Sequence, residues 1–408
     1  MNIGLLGLSF NVGNKGCEAL SYAFLEVLNK IAIRNNETYT AYIIIPIPIK
    51  ECIKKGLDFS KTLKKYYPKK DYSNIKIRAI TYKYIKNKYI FINRLSKCDV
   101  IFDFTAGDSF TDLYGKERFY KRTQLKEYVI KKGIPLVLGS QTIGPFSDTK
   151  VRKYATKIIK EAYEVFVRDE ESFIYTKEIS DREPLLTTDI AFELPYTKPL
   201  AEITTKYKIG INVSGLLWSG GYTRNNQFNL KSDYKEYCIK LISKLLENEN
   251  NEIHIISHAT ATSDKYPDND WTAAKEIKKM YPQIILVDKF ETAMDAKSYI
   301  ASMDMFIGAR MHATIAALSS KVPVIAFSYS RKFEGLFNSL KYKYVIKAKE
   351  LTTDEALTQT IYWIKNNDII KKDISITAKI IKEKNKLIED LIENTLHKIK
   401  NGGDKDVR

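Results

Sequence analysis

Arg310 and His312 stand two residues apart, directly after Gly308 and Ala309, and Arg331 and Lys332 follow the next apolar run. Cationic groups beside a side chain that titrates near neutrality are equipment for binding an anion and moving a proton. Taken singly, each of the four could equally be a solvated or hydrogen-bonded bystander. Their arrival on two neighbouring loops favours one pocket and an anionic substrate.

The elements that must position them can be read locally. Residues 303–307 (MDMFI) have the length and apolarity of a buried parallel strand, and Gly308 lets backbone approach a ligand. Residues 313–319 (ATIAALS) suit a helix packed closely on a sheet, and residues 322–327 (VPVIAF) form the next strand. The intervening loops then lie at the carboxyl ends of strands, where open α/β sheets bind ligands. A helix amino terminus there adds N–H groups and a positive dipole end.

The rest of the chain repeats this alternation. Strands are predicted near residues 2–8, 40–48, 99–104, 135–139, 164–167 and 185–187, with helices at 17–33, 116–132, 149–163 and 170–179. Residues 50–95, basic and rich in tyrosine, are read as helices around a recognition surface. A polar stretch with two prolines separates a second series: strands near 208–213, 252–257 and 283–288, and helices at 231–248, 271–280 and 293–302. The fold class is therefore α/β, two Rossmann-like parallel-sheet domains facing across a cleft. The expected divisions are 1–195, a linker at 196–206, 207–370, and a tail 371–408 carrying an amphipathic helix at 376–399. That helix either returns to the first domain or meets a membrane or an oligomer partner.

Composition narrows the function. A chain of 408 residues exceeds what one core usually supports. Four scattered cysteines without a CxxC pair, and four histidines in all, argue against a disulfide framework, zinc or histidine-rich metal catalysis, so no metal is expected. No membrane-length apolar run or signal peptide is visible, which predicts a cytoplasmic protein. The net charge of +17 attracts polyanions, acidic membrane surfaces or phosphorylated molecules. Lysine interleaves with tyrosine over residues 54–90, the strongest case for a membrane or nucleic-acid patch, although solvated lysine faces explain most of the excess. The turn Gly13-Asn14-Lys15-Gly16 at a helix start can hold an anion on its backbone or be a tight turn. It matches neither the dinucleotide fingerprint nor a Walker A loop.

Assembled in order, these pieces resemble the polysaccharide pyruvyl transferase family over residues 13–336. The carriers are Gly13-Asn14-Lys15-Gly16 with Glu18, Ala106-Gly107-Asp108 with Asp112, residues 141–146 (QTIGPF), residues 167–172 (VRDEES), Thr188-Asp189, and Gly308-Ala309-Arg310-Met311-His312-Ala313 followed by residues 323–326 (PVIA) and 329–332 (YSRK). Cys17 stands where the family tends to be acidic, and Thr105-Ala106-Gly107 where it is richer in glycine.

The resemblance implies a GT-B-like fold. It also implies transfer of a pyruvyl group from phosphoenolpyruvate, the donor substrate, to two hydroxyls of a sugar in a glycan or its precursor, giving a ketal. No cofactor is implied. Arg168, Arg310, Met311 and Lys332 look like the donor-binding set, with guanidinium forks matched to phosphate and carboxylate, and His312 like the catalytic acid. Asn14, Lys15, Gly16, Glu18, Gly107, Asp108 and Gln141 are candidates for binding the acceptor, and a basic surface would suit a lipid-linked one at the inner membrane face. Asp169, Glu170 and Asp189 are read as orienting Arg168 or capping a helix.

Two other classes remain in view. A GT-B glycosyltransferase using a nucleotide sugar would need a glutamate for the ribose, and Glu334 is the nearest. A basic membrane-surface or nucleic-acid binding protein rests on charge alone, and with no recognised module for it, nucleic acid is not an expected partner.

Overall fold

The computed structural model describes residues 1–46, 63–85, 88–91, 94–198 and 205–402; the side chains of Ile85, Lys88, Arg331 and Lys332 also lie outside the described residues. The chain divides into two compact units. Unit 1 comprises Met1–Val12, Leu20–Glu193 and Lys384–Arg408, and unit 2 comprises Gly13–Ala19 and Leu194–Glu383. The sequence draws contiguous domains. The contact pattern instead assigns the first turn of the first helix to unit 2 and the end of the last helix to unit 1. Part of the linker stretch, residues 199–204, lies outside the described residues.

Unit 1 contains β1 (Asn2–Leu6), most of α1 (Lys15–Arg34), β2 (Tyr39–Pro46), β3 (Ile75–Ile85), β4 (Lys88–Phe91), β5 (Val100–Asp103), α2 (Lys116–Lys131), β6 (Leu136–Gln141), α3 (Thr149–Glu161), β7 (Glu164–Val167), α4 (Glu170–Ser180) and β8 (Leu185–Leu186). The strand order is β4-β3-β2-β1-β5-β6-β7-β8. All neighbours are parallel except the β3–β4 hairpin. Strands buried on both faces read as unbroken apolar runs, and β5 and β6 are buried throughout.

Strands β3 and β4 correct the expectation of helices in this region. The pattern IKIRAITYKYI of β3 alternates with a period of two, which places Ile75 and Ile77 on one face and Lys76 and Arg78 on the other. Of residues 50–95, those at 50–62, 86–87 and 92–93 lie outside the described residues.

Unit 2 contains β9 (Tyr207–Asn212), α5 (Gly215–Trp218), α6 (Tyr234–Leu246), β10 (Asn251–Ile256), α7 (Asp270–Met280), β11 (Ile285–Leu286), α8 (Ala293–Ile300), β12 (Met305–Gly308), α9 (Met311–Ser319), β13 (Val324–Ser328), α10 (Arg331–Ser339), β14 (Val345–Lys347), α11 (Thr353–Lys365) and α12 (Asn367–Lys400). Its sheet is fully parallel in the order β11-β10-β9-β12-β13-β14. This is the doubly wound dinucleotide-fold order, with a switch point between β9 and β12. Helix starts follow their caps: Asp233 accepts from Glu236 N, and Asn269 from Trp271 N.

Helix α12 is longer than expected, 34 residues against a predicted 24 or so. Ile370, Ile374, Ile381, Ile388, Ile392 and Leu396 are buried along one stripe at three-to-four-residue multiples. In unit 1 its end is tied to α1 by Arg34, which meets Glu389 at 2.8 Å and Glu393 at 2.6 Å. Among the described residues no helix is long and apolar enough to cross a membrane.

Candidate active site

In unit 2 the carboxyl edge of the sheet gathers around one carboxylate. Asp270 is the first residue of α7, fully buried, and its side chain turns back under the switch point. Its Oδ1 accepts from Gly215 N at 2.9 Å and from Arg310 Nη2 and Nε at 2.6 and 3.1 Å. Its Oδ2 accepts from His258 N at 3.0 Å, Ala259 N at 2.9 Å and Asn212 Nδ2 at 3.3 Å. Burial pushes this carboxyl upward, but the Arg310 charge and the donated hydrogen bonds outweigh it and hold it below its ordinary value.

Arg310 is the N-cap residue of α9 and also pairs with Asp268. The sequence counts it as an open cation on a basic loop. In the folded unit two carboxylates face one guanidinium, Asp268 from the polar loop before α7 and Asp270 from its first residue. Tyr222 donates its hydroxyl to Asp268 at 2.9 Å and extends the network.

Helix α9 begins two residues earlier than residue periodicity suggests, because Ala313 and Thr314 both donate backbone N–H groups to Arg310 O at 3.0 Å. Met311 and His312 therefore occupy the first helical turn, and no side chain caps that end. Beside His312 lies Gly16: a Cβ there would sit 2.6 Å from His312 Nδ1, so only glycine allows this approach. The turn before α1 reaches unit 2 through backbone. Lys15 N donates to His258 O at 2.9 Å, and Asn14 bridges to Ala259.

These contacts place Asn14, Lys15, Gly16 and Glu18 in unit 2 rather than the first domain, and Cys17 with them. Of the two readings of the turn, the tight one describes it: Asn14 Oδ1 accepts from Gly16 N at 3.0 Å and Cys17 N at 3.3 Å. Lys15 is buried, with its ammonium on Glu18 at 2.8 Å and Glu291 O at 2.7 Å.

His258, at the carboxyl end of β10, carries no signal beyond its strand-end position and was not singled out by sequence. It is buried, and burial first, then the neighbouring His312, push its imidazole down to about 3, so it is neutral in the fold. Lys332 and Arg331 open α10, but their side chains lie outside the described residues. Glu334 accepts from Ser328 Oγ at 3.3 Å.

Unit 1 builds a second cluster at the same edge of its own sheet. Arg168, just past β7, is one of the largest fully buried side chains. Its Nη1 donates to Asp189 Oδ2 at 2.5 Å and its Nε to Thr142 Oγ1 at 2.9 Å. Its Nη2 is buried and has no hydrogen-bond partner among the described residues. Asp169 accepts from Ser172 N at 2.7 Å as the N-cap of α4, so the orienting and capping roles read for Asp189 and Asp169 describe them both.

Facing Arg168, Thr105, Ala106 and Gly107 take φ values of 41°, 56° and 83° in succession. Left-handed backbone at two non-glycine residues is strained, and the surroundings must impose it. They do so through Asp103, whose Oδ2 accepts from Thr105 Oγ1 at 2.5 Å and pairs with the fully buried Lys126 at 3.2 Å. Gly107 O accepts from Thr142 N at 2.9 Å, and a Cβ at Gly107 would lie 3.3 Å from Arg168 Nη1. Gln141, fully buried, donates to Asp103 O at 2.8 Å, a framework position. Asp108 is half-buried and accepts from Tyr114 Oη at 3.0 Å.

A family model described as "Polysaccharide pyruvyl transferase" matches residues 14–331, which spans both clusters and most of the chain. The chain belongs to the polysaccharide pyruvyl transferase family.

Comparison with curated proteins finds no match. Among solved structures, the family member is similar to UDP-GlcNAc 2-epimerase from Neisseria meningitidis bound to UDP-GlcNAc, with TM-score 0.55 and 12% identity over 98% of this chain and 100% of that one. MnaA of S. aureus in a co-structure with UDP gives 0.56 and 12% over 98% and 97%. Sucrose-phosphate synthase from Thermosynechococcus elongatus gives 0.55 and 9% over 98% and 100%. At such identities the likeness concerns the fold, which is GT-B-like: two Rossmann-like α/β domains.

Proposed function

We propose that this pyruvyl transferase family member takes the pyruvyl group of phosphoenolpyruvate and joins it to two hydroxyls of a sugar in a surface glycan or its precursor. The observation that carries the reading is the amino end of α9. There an uncapped helix terminus, Arg310 locked in orientation by Asp270, and His312 in the first turn come together. Backbone N–H groups and a dipole end suit a phosphate or carboxylate, and an imidazole one residue into the helix suits proton transfer to the bound anion.

In this scheme His312 protonates the methylene carbon of the enol, which becomes the methyl group. The first sugar hydroxyl adds to the adjacent carbon and loses its proton, and the C–O bond to phosphate breaks. Addition of the second hydroxyl, with loss of its proton, closes the ketal. Inorganic phosphate is the second product. Met311 and Lys332 remain assigned to the donor, as does Arg168, whose buried Nη2 needs an acceptor that a carboxylate or phosphate supplies. No cofactor enters the scheme. The acceptor residues proposed are Gly107, Asp108 and Gln141 in unit 1 and Asn14, Lys15, Gly16 and Glu18 in unit 2.

The test is phosphate release from phosphoenolpyruvate with galactose-, mannose- and glucosamine-containing acceptors, for wild type, Arg310→Ala and His312→Ala. Loss of donor binding in the arginine variant, and loss of turnover with binding retained in the histidine variant, support the scheme. Binding of a nucleotide sugar by wild type, with none of phosphoenolpyruvate, overturns it in favour of glycosyl transfer.

A further inference from the structure

The positive charge of this chain is concentrated. Residues 64–97 hold eleven Lys and Arg and a single acidic residue, Asp71, an excess of ten within a chain whose net charge is +17. Nine of the eleven are lysine. Fold position decides whether that excess is a diffuse solvated face or a surface.

Two parts of it reach one edge of unit 1. Strand β3 runs parallel to β1 and β2, so its last described residues, and the first of β4 paired with them, lie at the carboxyl edge of the sheet, the edge that carries Gly107 and Arg168. The segment 64–70 (KKYYPKK) is held at that edge too. Asn11, in the loop after β1, donates its Nδ2 to Tyr67 O at 2.7 Å, and Tyr22 Oη in α1 accepts from Lys69 N at 2.9 Å. Lys64 and Lys65 are exposed there.

The hairpin is amphipathic in a particular way. Tyr82 faces Phe91 and Tyr84 faces Tyr89 across the pair, while Lys83 faces Ile90. Tyr89 and Phe91 pack on Tyr128 of α2 with ring centroids 5.3 and 5.4 Å apart, which fixes the hairpin to the body of the unit. Tyr84 and Ile90 nevertheless remain 47% and 51% exposed. Lysine with exposed tyrosine and isoleucine is the chemistry of a bilayer interface, where aromatic and aliphatic groups sit at headgroup depth and ammonium groups meet anionic lipids. An exposed isoleucine gains nothing from a phosphodiester backbone, and arginine, the better reader of nucleic acid, is scarce here.

We propose that the carboxyl edge of unit 1, formed by residues 64–70 with residues 82–84 of β3 and 89–91 of β4, docks on an anionic lipid bilayer. Docking holds Gly107 and Arg168 at headgroup level, where a lipid-anchored glycan is presented; this use of the surface rests on the function proposed above, whereas the docking does not.

The experiment is co-sedimentation of the full chain with vesicles of phosphatidylcholine alone and of an equimolar mixture with phosphatidylglycerol. Wild type should bind only the mixture, more weakly as salt rises. Changing Lys64, Lys65 and Lys83 together to glutamate should lower binding on the order of a hundredfold, at about fivefold for each lysine removed. The same change at Lys76, Arg78 and Lys97, toward the opposite edge, should leave most of it; melting curves confirm that both triple variants fold. Tyr84→Ser with Ile90→Ser should weaken binding about tenfold at physiological salt. Absence of wild-type binding, equal losses in the two triple variants, or stronger binding to duplex DNA than to vesicles overturns the proposal. Vesicle binding without phosphate release from phosphoenolpyruvate would sink the reaction and leave the docking standing.

Discussion

Arg168 and Arg310 occupy equivalent places, each just past a strand at the carboxyl edge of its own sheet, yet the chain treats them differently. Arg310 faces two carboxylates, Asp268 and Asp270, and through Asp270 it is joined to β9, α5, the loop after β10 and α7. Arg168 faces one carboxylate, Asp189, and keeps a buried Nη2 without a partner among the described residues. Two carboxylates hold the Nε and Nη2 of Arg310 in place; Arg168, with one carboxylate, keeps a buried Nη2 unmatched inside a rigid frame. Charge read from sequence would rank the two equally, and their partners separate them.

The largest effect should come from Asp270→Ala. It leaves the Arg310 guanidinium short of a carboxylate and strips the acceptor from Gly215, His258 and Ala259 N–H groups, so unfolding in urea should show a loss of about 3–5 kcal/mol. A loss below about 1 kcal/mol would mean that Asp270 is not the hub described.

Next is pH. His258 has its folded value pushed down to about 3 from an ordinary 6.5, so as pH falls below 6.5 the unfolded chain takes up a proton that the folded chain refuses. Stability is full above pH 6.5 and declines toward pH 3, with a slope of up to about 1.4 kcal/mol per pH unit. Asp270, whose ordinary value is 3.8, contributes a loss only at the acid end of that window. His258→Gln should flatten the decline between pH 6 and pH 4.5, followed as the denaturation midpoint; an unchanged slope would assign it to other groups.

The comparison itself is sharpened by two lysine substitutions. Arg310→Lys gives up the multidentate contact with Asp268 and Asp270 and should reduce stability by about 2 kcal/mol. Arg168→Lys can still reach Asp189, so its stability should fall by about 1 kcal/mol, while phosphoenolpyruvate affinity drops at least about tenfold. Titration calorimetry beside denaturation separates the two quantities, and the reverse pattern would break the distinction drawn between the arginines.

Much of this was legible in the sequence, and the losses have physical causes. Central parallel strands announce themselves because both faces are buried, as in residues 100–103 and 324–328. Strand β3 is missed because lysine and arginine alternate with isoleucine, so that a two-faced strand near a sheet edge lacks the unbroken apolar run of a central one and is read as helix. Arg310 and His312 stand out as candidates from local order alone. Asp268 and Asp270 were not, since nothing local ties residues 268–270 to residue 310, and the same holds for His258. The seating of residues 13–19 in unit 2 depends on pairing with residues 258–260, information no single segment carries.

Helix α12 crosses from unit 2 into unit 1 near Lys384, and its last turns hold Lys30 and Arg34 through Glu389 and Glu393. In synthesis, then, unit 1 is begun before most of unit 2 and closed only after it. Every residue of unit 2 has been made by position 383, while the ion pairs and the buried Ile388, Ile392 and Leu396 that close unit 1 await residues 384–400. A chain stopped before Lys384 would carry every residue of unit 2 and a unit 1 without the helix carboxylates that hold Lys30 and Arg34.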